Sequence, residues 1–390
     1  MMFGVYLHIP FCFKICDYCD FRVLPAISSL FQEYTELLCK QIESFESGHP
    51  GLLGTAKTLY LGGGTPSALP GDCLRRIFLT LREVGVDVER LSEISMEFNP
   101  ESTSADRLDL ARRLGVNRVS LGLQTFDANL LRLVGRSHSV RAGLDALRLL
   151  TSVGSLQVSA DLMFNLPCQT VDGFLEDVDR LSDFPLNHLS FYGLNVSSRT
   201  RLGHRIAKGE LSVDDSLYEA MYLGGVEILE KKGLARYEVS NFARPGFESI
   251  HNRNYWDRGE YVGFGPGAHS FLDRCRFCAP ELYPRWRDYV LAGCPENGLN
   301  VDNLDEEDEI MELLWLSLRQ SRGIILNDLA KNKIKLSEEC CSKWIEKGFL
   351  KREIVTNFLQ NTESLRLEGR GWIFMDDIVT DLANSYSRLE

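Results

Sequence analysis

Three cysteines fall close together near the start of the chain, in the run Cys12-Phe-Lys-Ile-Cys16-Asp-Tyr-Cys19. Thiolates with this C-x3-C-x2-C spacing can wrap one corner of an iron–sulfur cluster, whose irons are normally held by four cysteine sulfurs. Three protein ligands leave one iron open to a small molecule, the open position that separates catalytic from structural metal sites. A zinc knuckle would need a fourth Cys or His at a fitting distance, and none follows. The next candidate is the glycine run Gly62-Gly63-Gly64-Thr65-Pro66, where bare backbone lets a ligand approach without Cβ clashes. Taken alone, a tight turn explains that run equally well.

These residues need elements to position them. Strand-like runs occur at Val5–Ile9, Thr58–Leu61, Ile94–Phe98, Arg118–Leu123, Val158–Phe164 and His188–Leu194, with amphipathic helical stretches between them such as Leu30–Phe45, Ala105–Leu114, Ala142–Leu150 and Gly173–Leu181. Six strands alternating with helices mean βαβ units and a parallel sheet. Right-handed connections in series curl such a sheet into a partial barrel, with chemistry at the C-terminal strand ends. The cysteine run and the glycine run both follow strands. A helix over Ser216–Lys232 ends the repeat. The expected division is a barrel over 1–235, a small antiparallel β-rich addition over 236–300, and a last domain over 301–390. An acidic linker, Asp302–Glu309, leads into that domain, where helical patterns at Ile310–Gln320 and Ser337–Lys347 precede Gly348–Lys351 and a hairpin-like Ser364–Met375. Helices followed by a hairpin suggest a winged-helix shape.

Composition narrows the function classes. The 390 residues carry 43 Lys+Arg against 55 Asp+Glu, a net charge of -12, which argues against a phosphate backbone as partner. The last domain has 12 basic against 18 acidic residues, so an interaction or lid role suits it better than DNA binding. No apolar run is long enough to span a membrane, and the N-terminus lacks a signal-peptide pattern, so the expected compartment is the cytoplasm. Thiols stay reduced there, and eleven cysteines, an odd count with irregular spacing, then favour metal or cluster binding over a disulfide framework.

The cysteine spacing resembles the signature of the radical S-adenosylmethionine (SAM) superfamily. The resemblance implies a [4Fe-4S] cluster on Cys12, Cys16 and Cys19, with SAM on the fourth iron through its amino and carboxylate groups. Gly63, Gly64 and Thr65 resemble the loop that receives the SAM amino group. Glu97 would accept from the SAM ammonium, Gln124 and Arg136 would supply a donor/acceptor and a carboxylate fork, and Asp161 would suit the ribose diol. Singly, each of these is more often a surface charge or a barrel salt bridge. Together they resemble the SAM pocket of the oxygen-independent coproporphyrinogen III oxidases and their relatives, and Tyr6 and His8 fit the opening strand of that subfamily.

One position divides the subfamily. The oxidases resemble C-x3-C-x2-C-x-C, but here Cys19 is followed by Asp20 and Phe21, and only a few residues precede the first strand. Both features resemble instead the heme chaperones of the HemW type. His251-Asn-Arg-Asn-Tyr255-Trp256 is similar to that group's H-N-x-x-Y-W motif. Its imidazole could ligate heme iron and its rings could face a porphyrin. The competing reading makes Tyr255 and Trp256 a plug for the open side of the barrel, with His251 bonding a backbone carbonyl. Gly263–His269 resembles the motif that follows in the family, and it puts His269 at the edge of the SAM or porphyrin pocket. Cys275 and Cys278 read as hairpin cysteines, and Cys340 and Cys341 as thiols on a helix. The resemblance thus implies a protein that binds heme as cargo and passes it to an acceptor protein, with peripheral membrane contact where the acceptor is membrane-bound. It also implies an electron donor wherever SAM is reductively cleaved. The enzyme alternative is radical SAM decarboxylation of coproporphyrinogen III in porphyrin biosynthesis.

Overall fold

Along the first strands residue types alternate with period two: Leu59 and Leu61 against Tyr60 and Gly62, Ile94, Met96 and Phe98 against Ser95 and Glu97. Successive strand side chains point to opposite faces, so such a sheet is apolar on one side and polar on the other. In the computed structural model, which describes residues 2–357 and 360–388, the apolar set packs beneath the helices as one core. The polar set faces a cavity.

Strands β1 (Phe3–Ile9), β2 (Thr58–Gly63), β3 (Glu93–Phe98), β4 (Arg118–Gln124), β5 (Gln157–Phe164) and β6 (His188–Gly193) lie side by side in chain order, each neighbouring pair parallel. Helices at Ser28–Gly48, Gly71–Glu83, Ala105–Arg113, Val140–Thr151 and Val171–Ser182 make the connections. Three of them start at side-chain caps, where Ser104, Ser139 and Thr170 accept from backbone N–H groups of the first turn. Each cap contributes about 1 kcal/mol and fixes where its loop ends. The six expected βα units therefore form, with the expected strands displaced by a residue or two at their ends.

Residues 236–300 depart from the expected antiparallel addition. Their strands join both edges of the barrel sheet. Asn241–Ala243 pairs antiparallel with β6, while Glu260–Phe264 pairs parallel with β1 and is followed outward by His269–Leu272, Cys275–Cys278 and Asn300–Asp302. Short helical spacing hid this, because a parallel partner is supplied here by a crossover of one two-turn helix, Ile250–Trp256.

The acidic run is not a linker either. Asp302 closes the last edge strand, and a helix starts at Glu306, with Asp305 accepting from Asp308 N and four acids in its first turn. Negative charge at a helix N-terminus is favourable, so the run serves as a start signal. The remainder runs strand Ile324–Ile325, helices Leu326–Lys331 and Glu338–Glu346, then a hairpin of Leu350–Asn357 with Gln360–Leu367, and a last helix Met375–Ala383. The hairpin lies upstream of the expected 364–375. The sequence between its two strands has no Gly or Pro, whereas Gly369 and Gly371 mark a 3-10 turn beyond it.

This last segment is docked on the barrel by a buried ion pair. Arg319 Nη2 lies 2.7 Å from Glu238 Oε2, whose residue is fully buried, and the guanidinium stacks 3.7 Å over Trp256. Removing one partner of such a pair strands a buried charge. Arg319→Ala is expected to lower stability by about 3 kcal/mol, read as a shift in the urea midpoint. A midpoint within error of wild type would remove this contact from the docking account.

Candidate functional site

Leaving β1, residues Phe11–Cys12 pair with Leu24–Pro25, which closes the cysteine loop at its base. The loop is tied down again where Asp17 N donates to Val134 O and Leu202 N to Asp17 O. Cys12, Cys16 and Cys19 are free thiols, half-buried, and all line one cavity of about 490 Å3, within the usual range for a small-molecule site. Among the described residues no three Cys, His, Asp or Glu groups converge on a single ion. A cubane does not ask for that, since each cysteine binds a different iron and its ligands stand farther apart than those of one ion.

Two polar groups address the sulfurs directly. Thr65 Oγ1 donates to Cys12 Sγ at 3.6 Å, and Arg136 Nη1 donates to Cys16 Sγ at 3.6 Å. Burial pushes the Cys12 thiol up to about 12, against the lowering pull of the Thr65 bond, and pushes Cys19 up to about 11. Thiols of this kind are stable as neutral S–H until a metal displaces the proton. Donors already aimed at sulfur fit a thiolate-held cluster.

The glycine run is required by contact. Gly63 has φ 109, and a Cβ there would lie 2.6 Å from the His8 ring; one at Gly64 would meet Pro10 and Phe11 backbone at 2.8 Å. With both glycines, β2 ends against β1, and Gly63 N donates to Glu97 Oε2 at 3.0 Å. Tyr60 donates to the other oxygen at 2.8 Å. Burial pushes Glu97 up to about 7. Asp161, held by Ser120 Oγ at 2.9 and 3.1 Å, is likewise pushed up to about 6 by burial. Two half-buried carboxyls with spare acceptor capacity favour a ligand that brings a cation and hydroxyls.

Gln124 ends β4 with φ 72, at a register irregularity against β5. A non-glycine residue in the left-handed region is a costly conformation that clusters at binding sites. It turns into the same cavity as Glu97, Arg136, Asp161, Gly63, Gly64 and Thr65.

Arg136 departs from a simple carboxylate fork. Its Nη2 donates to Asn99 Oδ1 at 2.8 Å and Gly122 O at 2.6 Å, and Nη1 goes to Cys16. Nε, buried and without a partner, and the second Nη1 hydrogen remain for a ligand. Asn99 was missed by the sequence reading. It links Arg136 to Thr65, donating to Thr65 Oγ1 at 2.7 Å, and so joins the cysteine loop to the glycine loop. Its only sequence signal is its place directly after β3.

Tyr6 is not brought to this cavity. It lines a neighbouring cleft, with its hydroxyl 3.0 Å from His8 Nδ1. His251 is corrected more strongly. It is 1% exposed, its Nδ1 lies 2.8 Å from Thr58 Oγ1 and its Nε2 2.7 Å from Tyr255 OH. Its ring stacks on Tyr60, and burial drives it down to about 3, so it is neutral. With both nitrogens bonded inside the barrel, His251 offers no ligand to iron in this conformation. The helix carrying it packs at the N-terminal ends of β2 and β3, where Ile250 N and His251 N donate to Glu93, and His251 bonds two hydroxyls rather than a backbone carbonyl. Cys275 and Cys278 lie on one strand, paired in a hairpin with His269–Leu272, and Cys340 and Cys341 on the helix Glu338–Glu346.

If Glu97 receives an ammonium, its charged form must be present. SAM affinity of the cluster-loaded protein is then expected to rise as pH increases through about 7, with proton release on binding, and Glu97→Gln is expected to abolish that rise. Loss of the Glu97 acceptor or of the Arg136 guanidinium is expected to cost about 1.5–3 kcal/mol of binding. Calorimetry showing unchanged affinity in both variants would overturn the assignment.

Residues 6–181 match the model of the radical SAM superfamily. The chain is 36% identical over 337 residues to the heme chaperone HemW of Lactococcus lactis, covering 86% of each chain. It is 33% identical to that of Mycobacterium tuberculosis, covering 97% of this chain and 94% of the relative. With the HemW of Escherichia coli it shares 34% identity over 68% of this chain and 69% of the relative. Its fold matches the structure of coproporphyrinogen III oxidase (HemN) from Escherichia coli with TM-score 0.80, over 98% of this chain and 90% of that one, at 19% identity. A cavity ringed by the three cysteines, the glycine loop and two half-buried carboxyls, on a parallel βα barrel with relatives of this extent, leaves one assignment: the chain belongs to the HemW family of the radical SAM superfamily.

Proposed function

We propose that this protein is a heme chaperone that holds a [4Fe-4S] cluster and SAM in the barrel cavity and carries heme to an acceptor protein. The observation that carries the cofactor part is the convergence of Cys12, Cys16, Cys19, Gly63–Thr65, Glu97, Gln124, Arg136 and Asp161 on one cavity, with sulfur-directed donors in place. Cys12, Cys16 and Cys19 would hold three irons, and the bound cluster would supply electrons and an open coordination site. The chain's own residues do the rest. Thr65 and Arg136 donate to two of the sulfurs, Asn99 keeps those donors in register, and Glu97 and Asp161 orient an ammonium and a diol. The Tyr60 hydroxyl holds the Glu97 carboxyl in place.

The heme part rests on the relatives' name and on Phe21, which stands where the oxidases carry a further cysteine. The oxidase reading has the shared fold in its favour, and at 19% identity that likeness speaks for the fold alone. Delivery takes place in the cytoplasm in this reading, with the acceptor reached by docking, at a membrane surface where the acceptor is membrane-bound; no helix among the described residues is long and apolar enough to cross a membrane. The last domain, with its acidic excess, is a protein-docking module rather than a nucleic-acid reader, and an electron donor is needed only where SAM is cleaved. The test is titration of hemin into the anaerobically reconstituted protein. About one heme per chain is expected, and no saturable Soret band would end the chaperone reading.

A further inference from the structure

The heme reading lacks an iron ligand once His251 is accounted for, and the remaining histidines can be sorted by their bonds. His188 lines the cluster cavity, but its nitrogens lie 2.8 Å from Ser159 Oγ and 2.9 Å from Tyr237 OH. His8 lies in the neighbouring cleft, 9% exposed, with Tyr6 OH at 3.0 Å and Arg22 O at 3.5 Å. His269 opens the strand His269–Leu272, is exposed, and lines that same cleft with no hydrogen bond from either ring nitrogen. Of the seven histidines it is the one that combines a cavity with free nitrogens.

Resting on the chaperone reading, we propose that the cleft of about 560 Å3 between Tyr6, Phe21, Tyr261 and Pro266 seats the heme, with the His269 imidazole as its iron ligand. Partial burial holds His269 below the ordinary histidine range, so at neutral pH the ring is unprotonated and its lone pair is free for a metal. Tyr6, Tyr255, Tyr261 and Phe21 give the cleft flat apolar walls suited to a porphyrin face. Phe21, 67% exposed, is the largest apolar surface at the rim and would be covered by such a ring.

The mouth also suits the heme carboxylates. Arg22 and Arg199 both line the cleft and are paired only with exposed or half-exposed acids, Glu281 at 3.1 Å and Asp20 at 3.6 Å. Exposed pairs of this kind are weak, so a propionate can exchange for the protein's own carboxylate. The apolar cavity around Trp256 has no imidazole, and its Arg258 and Arg276 both pair with Glu312. The heme cleft and the cluster cavity share Asp20, Phe21, Gly63 and Glu97 as a common wall, so cargo and cofactor sit side by side.

The experiment titrates hemin into wild type, His269→Ala, His269→Met and His251→Ala, each checked for iron content of the reconstituted cluster and for thermal unfolding. His269→Ala is expected to shift the Soret band and raise the heme Kd at least tenfold, while keeping wild-type cluster content. His269→Met is expected to restore binding with the spectrum of a thioether ligand, which a merely destabilised strand would not do. The bound fraction of His251→Ala is expected to keep the wild-type spectrum. If wild type binds heme and both His269 variants match it in spectrum and affinity, the placement is overturned and the chaperone reading stands. If wild type binds no heme, the chaperone reading falls and this site with it.

Discussion

Serine at Cys12, Cys16 or Cys19 is expected to leave the anaerobically reconstituted protein with little iron and without the broad absorption near ~400 nm that thiolate-bound iron–sulfur clusters show. Each single substitution is expected to be nearly as damaging as all three. A cubane held at three corners has no spare protein ligand, and among the described residues no other cysteine lines the cavity. Cys275 and Cys278 lie on the strand Cys275–Cys278, Cys340 and Cys341 on a helix of the last segment, and Cys39 and Cys73 in the core. Cys275→Ser is therefore expected to keep full iron content. Retained iron in Cys12→Ser together with lost iron in Cys275→Ser would reverse the assignment. Fold loss is a separate quantity, since the loop is anchored through backbone bonds at Leu24, Asp17 and Leu202 that serine leaves intact.

That cluster site was legible because its spacing is local. Eight consecutive residues after one strand carry it, and no tertiary information is needed to see them. The six strands were legible for a related reason: each alternates apolar and polar residues, and that period survives in a single sequence. What lay hidden is non-local. Glu260–Phe264 pairs parallel with β1 from 250 residues away, and nothing in its own composition distinguishes a parallel from an antiparallel partner. (The separation follows from Tyr261 opposite Gly4, about 257 positions apart.) The start of the helix at Glu306 was masked because an acidic run reads as a solvated linker until the cap at Asp305 is seen.

The site shows the same division. Glu97 and Gln124 reach the cavity from the ends of parallel strands, Asp161 from the C-terminal half of one, and Arg136 from the loop after the helix Ala128–Leu133, all on the side where topology places chemistry. The direction of each side chain's bonds was not legible. Arg136 spends most of its donors on Asn99, Gly122 and Cys16, and His251 spends both nitrogens on Thr58 and Tyr255. A motif names residue types at a spacing, and whether a nitrogen is free depends on partners that are distant in sequence, here 193 positions for Thr58.

With cluster, SAM and a strong reductant all present, the protein is expected to release no carbon dioxide from coproporphyrinogen III above the level of a protein-free control. Two features together decide this, the ring of Phe21 and the charge of the cleft beside it. In the oxidases a cysteine stands two residues after the third cluster ligand, where it can offer a thiol at the edge of the reaction cavity. Phe21 lies on the wall shared by the cluster cavity and the heme cleft, largely exposed. A phenyl ring there supplies neither a proton, nor a hydrogen atom to a radical, nor a ligand to iron, and it presents apolar surface to whatever enters. That surface favours a planar ring system and disfavours a substrate whose carboxylates must be desolvated beside it. The neighbouring acids point the same way, because Asp20, Glu97 and Glu281 crowd the cleft with only Arg22 and Arg199 to offset them. A heme with two propionates can meet those two arginines, whereas a tetracarboxylate leaves two charges facing the acids. Phe21→Cys is accordingly expected to remain inactive, since a thiol alone does not correct the charge of the cleft. The assay is product analysis after anaerobic incubation, with SAM consumption followed in parallel. Catalytic turnover of coproporphyrinogen III by the wild-type protein would overturn the chaperone assignment whatever its affinity for heme.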